Sequence, residues 1–224
     1  DWSSDVCSSD LAKTLTLGGT SAAANTLSGA VVNGSGTTSL AKTGPGAWEL
    51  GGASTFTGGI AVDAGILTLK SGAAVAGTNS LAITGGTLNL RNAAQTLASL
   101  SGSGGVLDFG SGHVLTLAQT TASSFSGQIT GSGAMILNGG GGVLTLSGDT
   151  GNSYTGNTTV TAGTLALAKT GGAHAIAAGT TSIGPSGTVR FEASSQFASG
   201  TSLRLAGGTL NLNGGSQAFA TALQ

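Results

Sequence analysis

Apolar and polar residues alternate along this chain in short bursts. Leu15-Thr16-Leu17, Thr87-Leu88-Asn89-Leu90 and Val143-Leu144-Thr145-Leu146 each put leucine or valine on one side and threonine or asparagine on the other. A period of two predicts strands with one buried face, and the glycines between bursts supply corner conformations that other residues resist. The longest run of this rhythm is L-A-K-T-G-P-G-A-W-E-L-G-G-A-S-T-F-T-G-G-I-A-V-D-A-G-I-L-T-L, from Leu40 to Leu69. It predicts strands at Ala47 to Leu50, Ile60 to Val62 and Ile66 to Leu69. Long stretches of Gly, Thr, Ser and Asn are poor helix formers, so the expectation is an all-β chain.

The run returns between Leu137 and Leu167. Leu50 maps on Leu146, Phe56-Thr57-Gly58 on Tyr154-Thr155-Gly156, and Ala64-Gly65 on Ala162-Gly163. The offset grows from 96 to 98 within one corner, a change that leaves both flanking strands in phase, as a coiled solenoid tolerates. Leu15 likewise matches Leu115, and Leu27-Ser28-Gly29 matches Phe125-Ser126-Gly127. G-G-T-L-N-L occurs at Gly85 to Leu90 and again at Gly207 to Leu212, followed five residues later by Gln95 and Gln217. Two supermodules of about a hundred residues each follow, 12–113 and 114–224. With no proline-rich or charged linker between them, they read as one continuous domain.

Repeats running in one direction, with a strand-corner-strand-corner rhythm, predict a right-handed parallel β-helix rather than hairpins, which would show Asn-Gly or Asp-Gly turns. At roughly 20 residues a rung, the chain makes about ten rungs and about 50 Å of rod.

Composition narrows the class further. The 224 residues include 42 glycines and two prolines, and 7% are charged. Disordered chains are polar and highly charged, whereas here Leu, Val and Ile recur in phase. Glycine lacks the three-residue period of collagen. A net charge of −1 without a basic stripe makes nucleic acid and anionic membrane surfaces poor partners. No apolar run approaches the roughly 20 residues of a membrane helix.

The opening D-W-S-S-D-V-C-S-S-D-L stands apart, holding three of eight carboxylates and the single cysteine. It lacks the basic start and apolar middle of a secretory signal and resembles a translated sequencing adapter. Residues 1–11 are therefore expected to be a non-native leader. The remaining chain then has no cysteine and carries five acids against seven bases.

The Leu40–Leu69 and Leu137–Leu167 runs resemble the autotransporter-associated β-strand repeat of type V secretion passenger domains. In the first copy Lys42, Thr43, Gly44, Gly46, Trp48, Leu50, Phe56, Gly58 and Gly65 stand at motif positions, and in the second Leu146, Tyr154, Gly156 and Gly163 do. The second copy departs where Asn138 and Gly139 replace the Lys-Thr pair and Val143-Leu144 falls near the tryptophan position. The resemblance implies a non-enzymatic scaffold exported to the cell surface of a Gram-negative bacterium. It implies a C-terminal outer-membrane β-barrel on the same polypeptide as partner, host surfaces or like rods as further partners, and no cofactor.

Candidate chemistry is sparse. Beyond the leader the acids are Glu49, Asp63, Asp108, Asp149 and Glu192, no two within ten residues of each other, and the histidines are His113 and His174. A β-helical carbohydrate-active enzyme, the alternative reading, needs clustered carboxylates beside a basic residue; Glu49 and Asp63 would have to meet across a rung. Asp108 and His113 are five apart, but no G-x-S-x-G elbow accompanies them. Asp149 beside the glycine run Gly139–Gly142 lacks the nine-residue repeat of a calcium roll. A self-assembling surface-layer protein shares the composition. Phe56 and Tyr154, at one repeat position, are expected to stack structurally.

Overall fold

The computed structural model describes residues 11–91 and 94–218, so the leader assignment lies outside the described residues except at Leu11. Every described element is a strand, and every strand pairing is parallel. The chain winds through three sheets in fixed order, here called faces A, B and C. Face A begins with Lys13–Leu17, Thr38–Lys42, Ile60–Val62, Ser80–Ile83 and Ser99–Ser101, and Ala122–Phe125 joins it through the Gly102–Phe125 bridge. It continues in the second halves of three long strands, Ala134–Gly148, Thr158–Lys169 and Thr180–Phe191, and ends at Thr209–Asn211. Ten passes over this face close nine complete rungs. The expected β-solenoid is therefore present.

Face B holds Asn25–Leu27, Ala47–Leu50, Ile66–Leu69, Thr87–Leu90, Val106–Asp108 and Gln128–Thr130 in rungs 1 to 6. Face C holds Ala94–Leu97 and Val114–Leu117, the first halves of the long strands, and Ser202–Leu205, in rungs 4 to 9. The alternation seen in the sequence sets the interior. Leu67, Leu81, Leu88, Leu107, Leu115, Leu144 and Leu165 are all fully buried, and one apolar core runs from Leu17 to Leu203. Each leucine so buried is worth about 1.5–3 kcal/mol, and the stacked rows are what hold successive rungs together.

Where a sheet lapses, side-chain amides replace its ladder. On face C of the early rungs, Asn79 accepts the Gly59 N–H at 3.0 Å and donates to the Phe56 carbonyl at 2.8 Å. Gln95 accepts the Val75 N–H and donates to the Val75 carbonyl, at 3.1 and 3.0 Å. On face B of the late rungs Asn152 bridges Ile129 and Ala175. Gln196 clasps Lys169, and Gln217 clasps Phe197. A primary amide presents one donor and one acceptor side by side, as a strand residue does, so it satisfies backbone groups that would otherwise be buried unpaired.

The repeated sequence stretches do not recur after whole rungs. Leu15 is on face A and Leu115 on face C; Leu27 and Leu50 are on face B and their partners Phe125 and Leu146 on face A. Leu88 is on face B and Leu210 on face A. Every correspondence is displaced by one face in the same direction. The strands thus stay in phase with the core but not with the faces. This is permitted because all three faces ask the same of a segment: an inward apolar residue at every second position and a corner that turns. Phe56 and Tyr154 are both fully buried, but they lie more than four rungs apart along the rod and do not stack on each other. Tyr154 instead packs edge-on against Phe109, with ring centroids 5.6 Å apart.

The Tyr154 hydroxyl and the Thr158 hydroxyl bond at 2.6 Å inside this core, where both residues are fully buried. Tyr154→Phe leaves the Thr158 hydroxyl without that partner, and a loss of about 1–2 kcal/mol is expected in denaturant titration. A loss under about 0.3 kcal/mol would mean that Thr158 finds another partner.

Candidate functional site

The corners of the repeated motif and one column on face B both carry polar chemistry. Lys42 ends a face-A strand pointing inward, paired with Leu17 below and Val62 above, and is fully buried. Its ammonium donates to the carbonyl oxygens of Thr43 and Gly44, each at 2.8 Å, and of Ala64 in the next rung at 3.0 Å. These are the three donors an ammonium has, directed at a ring of carbonyls. Gly65 is required beside it, because a Cβ there would lie 2.6 Å from the Lys42 Nζ and 2.4 Å from the Gly46 carbonyl oxygen, at φ +68°. Burial pushes the Lys42 pKa below the usual lysine value.

The remaining motif residues support this corner or its counterpart. Thr43 and Gly46 donate their N–H groups to Leu17 and Gly19 in the rung below, and Gly44 takes φ +70°. The Trp48 indole packs on the core and donates to the Gly18 carbonyl at 2.7 Å. Leu50 is buried in register with Leu27 and Leu69, and Gly58 donates to the Thr38 carbonyl. In the second copy Leu146 is buried between Phe125 and Leu167, Gly156 packs against the Gly133 carbonyl, and Gly163 turns the corner at φ +86°. The structure thus distributes the thirteen positions over strands and corners of several rungs rather than gathering them into one site.

A second corner of the Lys42 type lies just beyond the later repeat. L-A-K-T-G recurs at Leu167 to Gly171, and Lys169 is again buried at the end of a face-A strand. Its ammonium donates to the Gly127 carbonyl at 2.8 Å. Burial pushes the Lys169 pKa down to about 8, with the charge of Asp149 opposing the shift. An unfolded lysine titrates near ~10.4, so between about pH 8 and that value the unfolded chain binds more protons than the native one. Stability therefore rises with pH across this window. The melting temperature of the chain is expected to climb from pH 8 to 10, and the climb to shrink in Lys169→Met; equal slopes in both would refute the assignment.

On face B the outward residues Thr26, Glu49, Thr68, Asn89, Asp108 and Thr130 stand in register on six successive rungs. Lys70 pairs with Glu49 at 2.8 Å and Arg91 with Asp108 at 2.7 Å, giving the sequence acid, base, base, acid along one edge. The hydrogen bond and charge of Lys70 hold the Glu49 carboxyl below its ordinary pKa. Burial works to raise Asp108, but Arg91, the Gly110 N–H and Thr130 outweigh it and hold it low. Both carboxylates are thus kept ionised and occupied, unlike a general acid, which needs a raised pKa.

Asp63 lies at a corner, bonded to the Thr84 hydroxyl at 2.8 Å, and is not brought to Glu49. Asp149 is exposed at another corner, and Asp108 turns to Arg91, Gly110 and Thr130 rather than to His113. Among the described residues no group of three His, Cys, Asp or Glu side chains could hold a metal ion. A shallow depression of 290 Å³ on face A is lined by small residues such as Ser39, Ala41, Gly59, Ala61 and Ser80, with no charged group.

A parallel β-solenoid with glycine corners and buried lysine locks defines a repeat scaffold, and residues 40–69 and 139–167 match the passenger-associated-transport-repeat family. The chain thus carries two autotransporter-associated repeats, the expected kind, and these indicate a cell-surface or secreted Gram-negative protein. Over 93 residues it is 41% identical to the adhesin BmaC autotransporter of Brucella suis biovar 1 (strain 1330). The match covers 41% of this chain and 3% of that relative, so the chain spans only a small part of its length. No solved structure matches the chain.

Proposed function

We propose that the segment is a non-enzymatic stalk of a surface passenger, a rod that holds a more variable tip away from the cell and adds adhesion or self-association. Residues 12–113 and 114–224 are its two duplicated modules, and a C-terminal outer-membrane barrel on the same polypeptide is its anchor. The observation that carries this reading is the single apolar core running through all nine rungs, with Glu49 and Asp108 committed to ion pairs rather than to an open cleft. The similarity to an adhesin supports the adhesive role.

The test separates stalk from enzyme. Beads coated with the purified chain are scored for binding to host cells and to one another, and the chain is incubated with a panel of polysaccharides. Binding that survives Glu49→Gln and Asp108→Asn, with the polysaccharides left intact, is the expected result. Glycan cleavage that disappears in either variant would overturn it in favour of a β-helical carbohydrate-active enzyme.

A further inference from the structure

A solenoid whose rungs touch only their neighbours sheds them one at a time from an open end. Lys169 departs from that nearest-neighbour rule. It closes the face-A strand of rung 8 and stands in register with Gly148 of rung 7. The adjoining register, Phe125 with Leu146, sets Gly127 of rung 6 beneath Gly148. The ammonium bonds the Gly127 carbonyl at 2.8 Å, across 42 residues of sequence. Two inter-rung steps of about 4.8 Å each must be spanned, which an extended lysine and one hydrogen bond cover together. Both positions beneath Lys169 are glycines, so no side chain stands at either level of the corner.

The backbone of Lys169 is itself held from the other side. Gln196 of rung 9 accepts its N–H at 2.8 Å and donates to its carbonyl at 2.9 Å, with both residues almost completely buried. One residue therefore links rungs 6, 8 and 9 around rung 7. Lys42, by contrast, reaches only its own corner and Ala64 of the neighbouring rung.

We propose that Lys169 is an axial staple, which makes rungs 6 to 8 open as one cooperative unit instead of singly. The inference rests on the geometry alone and holds whether or not the rod serves as a stalk.

Hydrogen exchange on the full chain tests it. Lys169→Met keeps most of the stem and removes the ammonium. Amides of rung 6, such as those of Ser126, Gln128 and Ile129, are expected to exchange at least tenfold faster, with rungs 1 to 4 unchanged within twofold. Lys42→Met should accelerate rungs 2 and 3 and leave rung 6 alone. Faster exchange confined to rungs 7 and 8, or spread evenly over the rod, would overturn the proposal. Should Lys169→Met fail to fold, the wild-type chain pulled from its C-terminal end gives a second reading. The staple predicts that the 42 residues between Gly127 and Lys169 leave in one step of about 150 Å contour length. Separate single-rung steps through the same residues would refute it.

Discussion

Gly139→Ala is expected to destabilise the rod by about 4 kcal/mol, while Gly140→Ala, one residue along, stays within about 0.5 kcal/mol of the parent. The two glycines belong to one run of four at the corner between faces C and A of rungs 6 and 7. A Cβ at 139 would lie 1.6 Å from the Gln119 carbonyl oxygen and 2.4 Å from its carbon. Those are backbone atoms of the rung beneath, which cannot move aside without breaking their own ladder. A Cβ at 140 meets nothing within 4 Å, and its φ is not left-handed, so alanine there even trims the entropy of the unfolded chain. Gly141, at φ +94° in open space, should fall between them at about 1 kcal/mol. Chemical denaturation of the three variants checks the order. Equal costs at 139 and 140 would mean that the corner packs less tightly than its backbone positions require.

The same run shows where sequence reasoning stops. Four consecutive glycines announce a corner but cannot say which of them touches the rung below, since that contact joins residues twenty apart through a register that a corner sets. What was legible depended on local periodicity. The inward leucines, the strands at Ala47–Leu50, Ile60–Val62 and Ile66–Leu69, and the parallel coil all follow from alternation and directional repeats. The repeated Gln95 and Gln217 were visible as a pattern, and the structure supplies its meaning: each clasps the backbone of a residue twenty positions earlier.

The face displacement was not legible. Alternation distinguishes inside from outside and carries nothing about which of three equivalent faces a strand joins, so a repeat looks the same whether it returns after whole rungs or a third of a rung short. The second L-A-K-T-G is hidden for a related reason. Its lysine lies just beyond the Leu137–Leu167 copy, and an alignment anchored on glycines and aromatics pairs Lys42 with Asn138 instead. A charged residue inside an apolar alternation is itself a signal, because burying an ammonium is costly unless carbonyls replace its water. Lys42 and Lys169 both follow Leu-Ala at a strand end, and both are buried.

Gln196→Leu is expected to cost about 3 kcal/mol and to lower the melting temperature by about 6–12 °C for a chain of this size. Leucine suits the apolar surroundings and would be harmless if Gln196 merely filled space. Its amide, however, accepts the Lys169 N–H and donates to the carbonyls of Lys169 and Ser194, at 2.8, 2.9 and 3.0 Å, with no exposure to water. Removing it strands a buried N–H and a buried C=O, each worth about 1–3 kcal/mol when unpaired. Glutamate is no remedy: it accepts but cannot donate, and it adds a buried charge. Gln217 makes the same clasp on Phe197 one rung later, but it is only partly buried, so water can take its place. Gln217→Leu should therefore cost under about 1 kcal/mol. Melting curves of the two variants decide the matter: a threefold or larger ratio of losses shows that burial, not the clasp geometry they share, sets the energy, and equal losses would show the reverse.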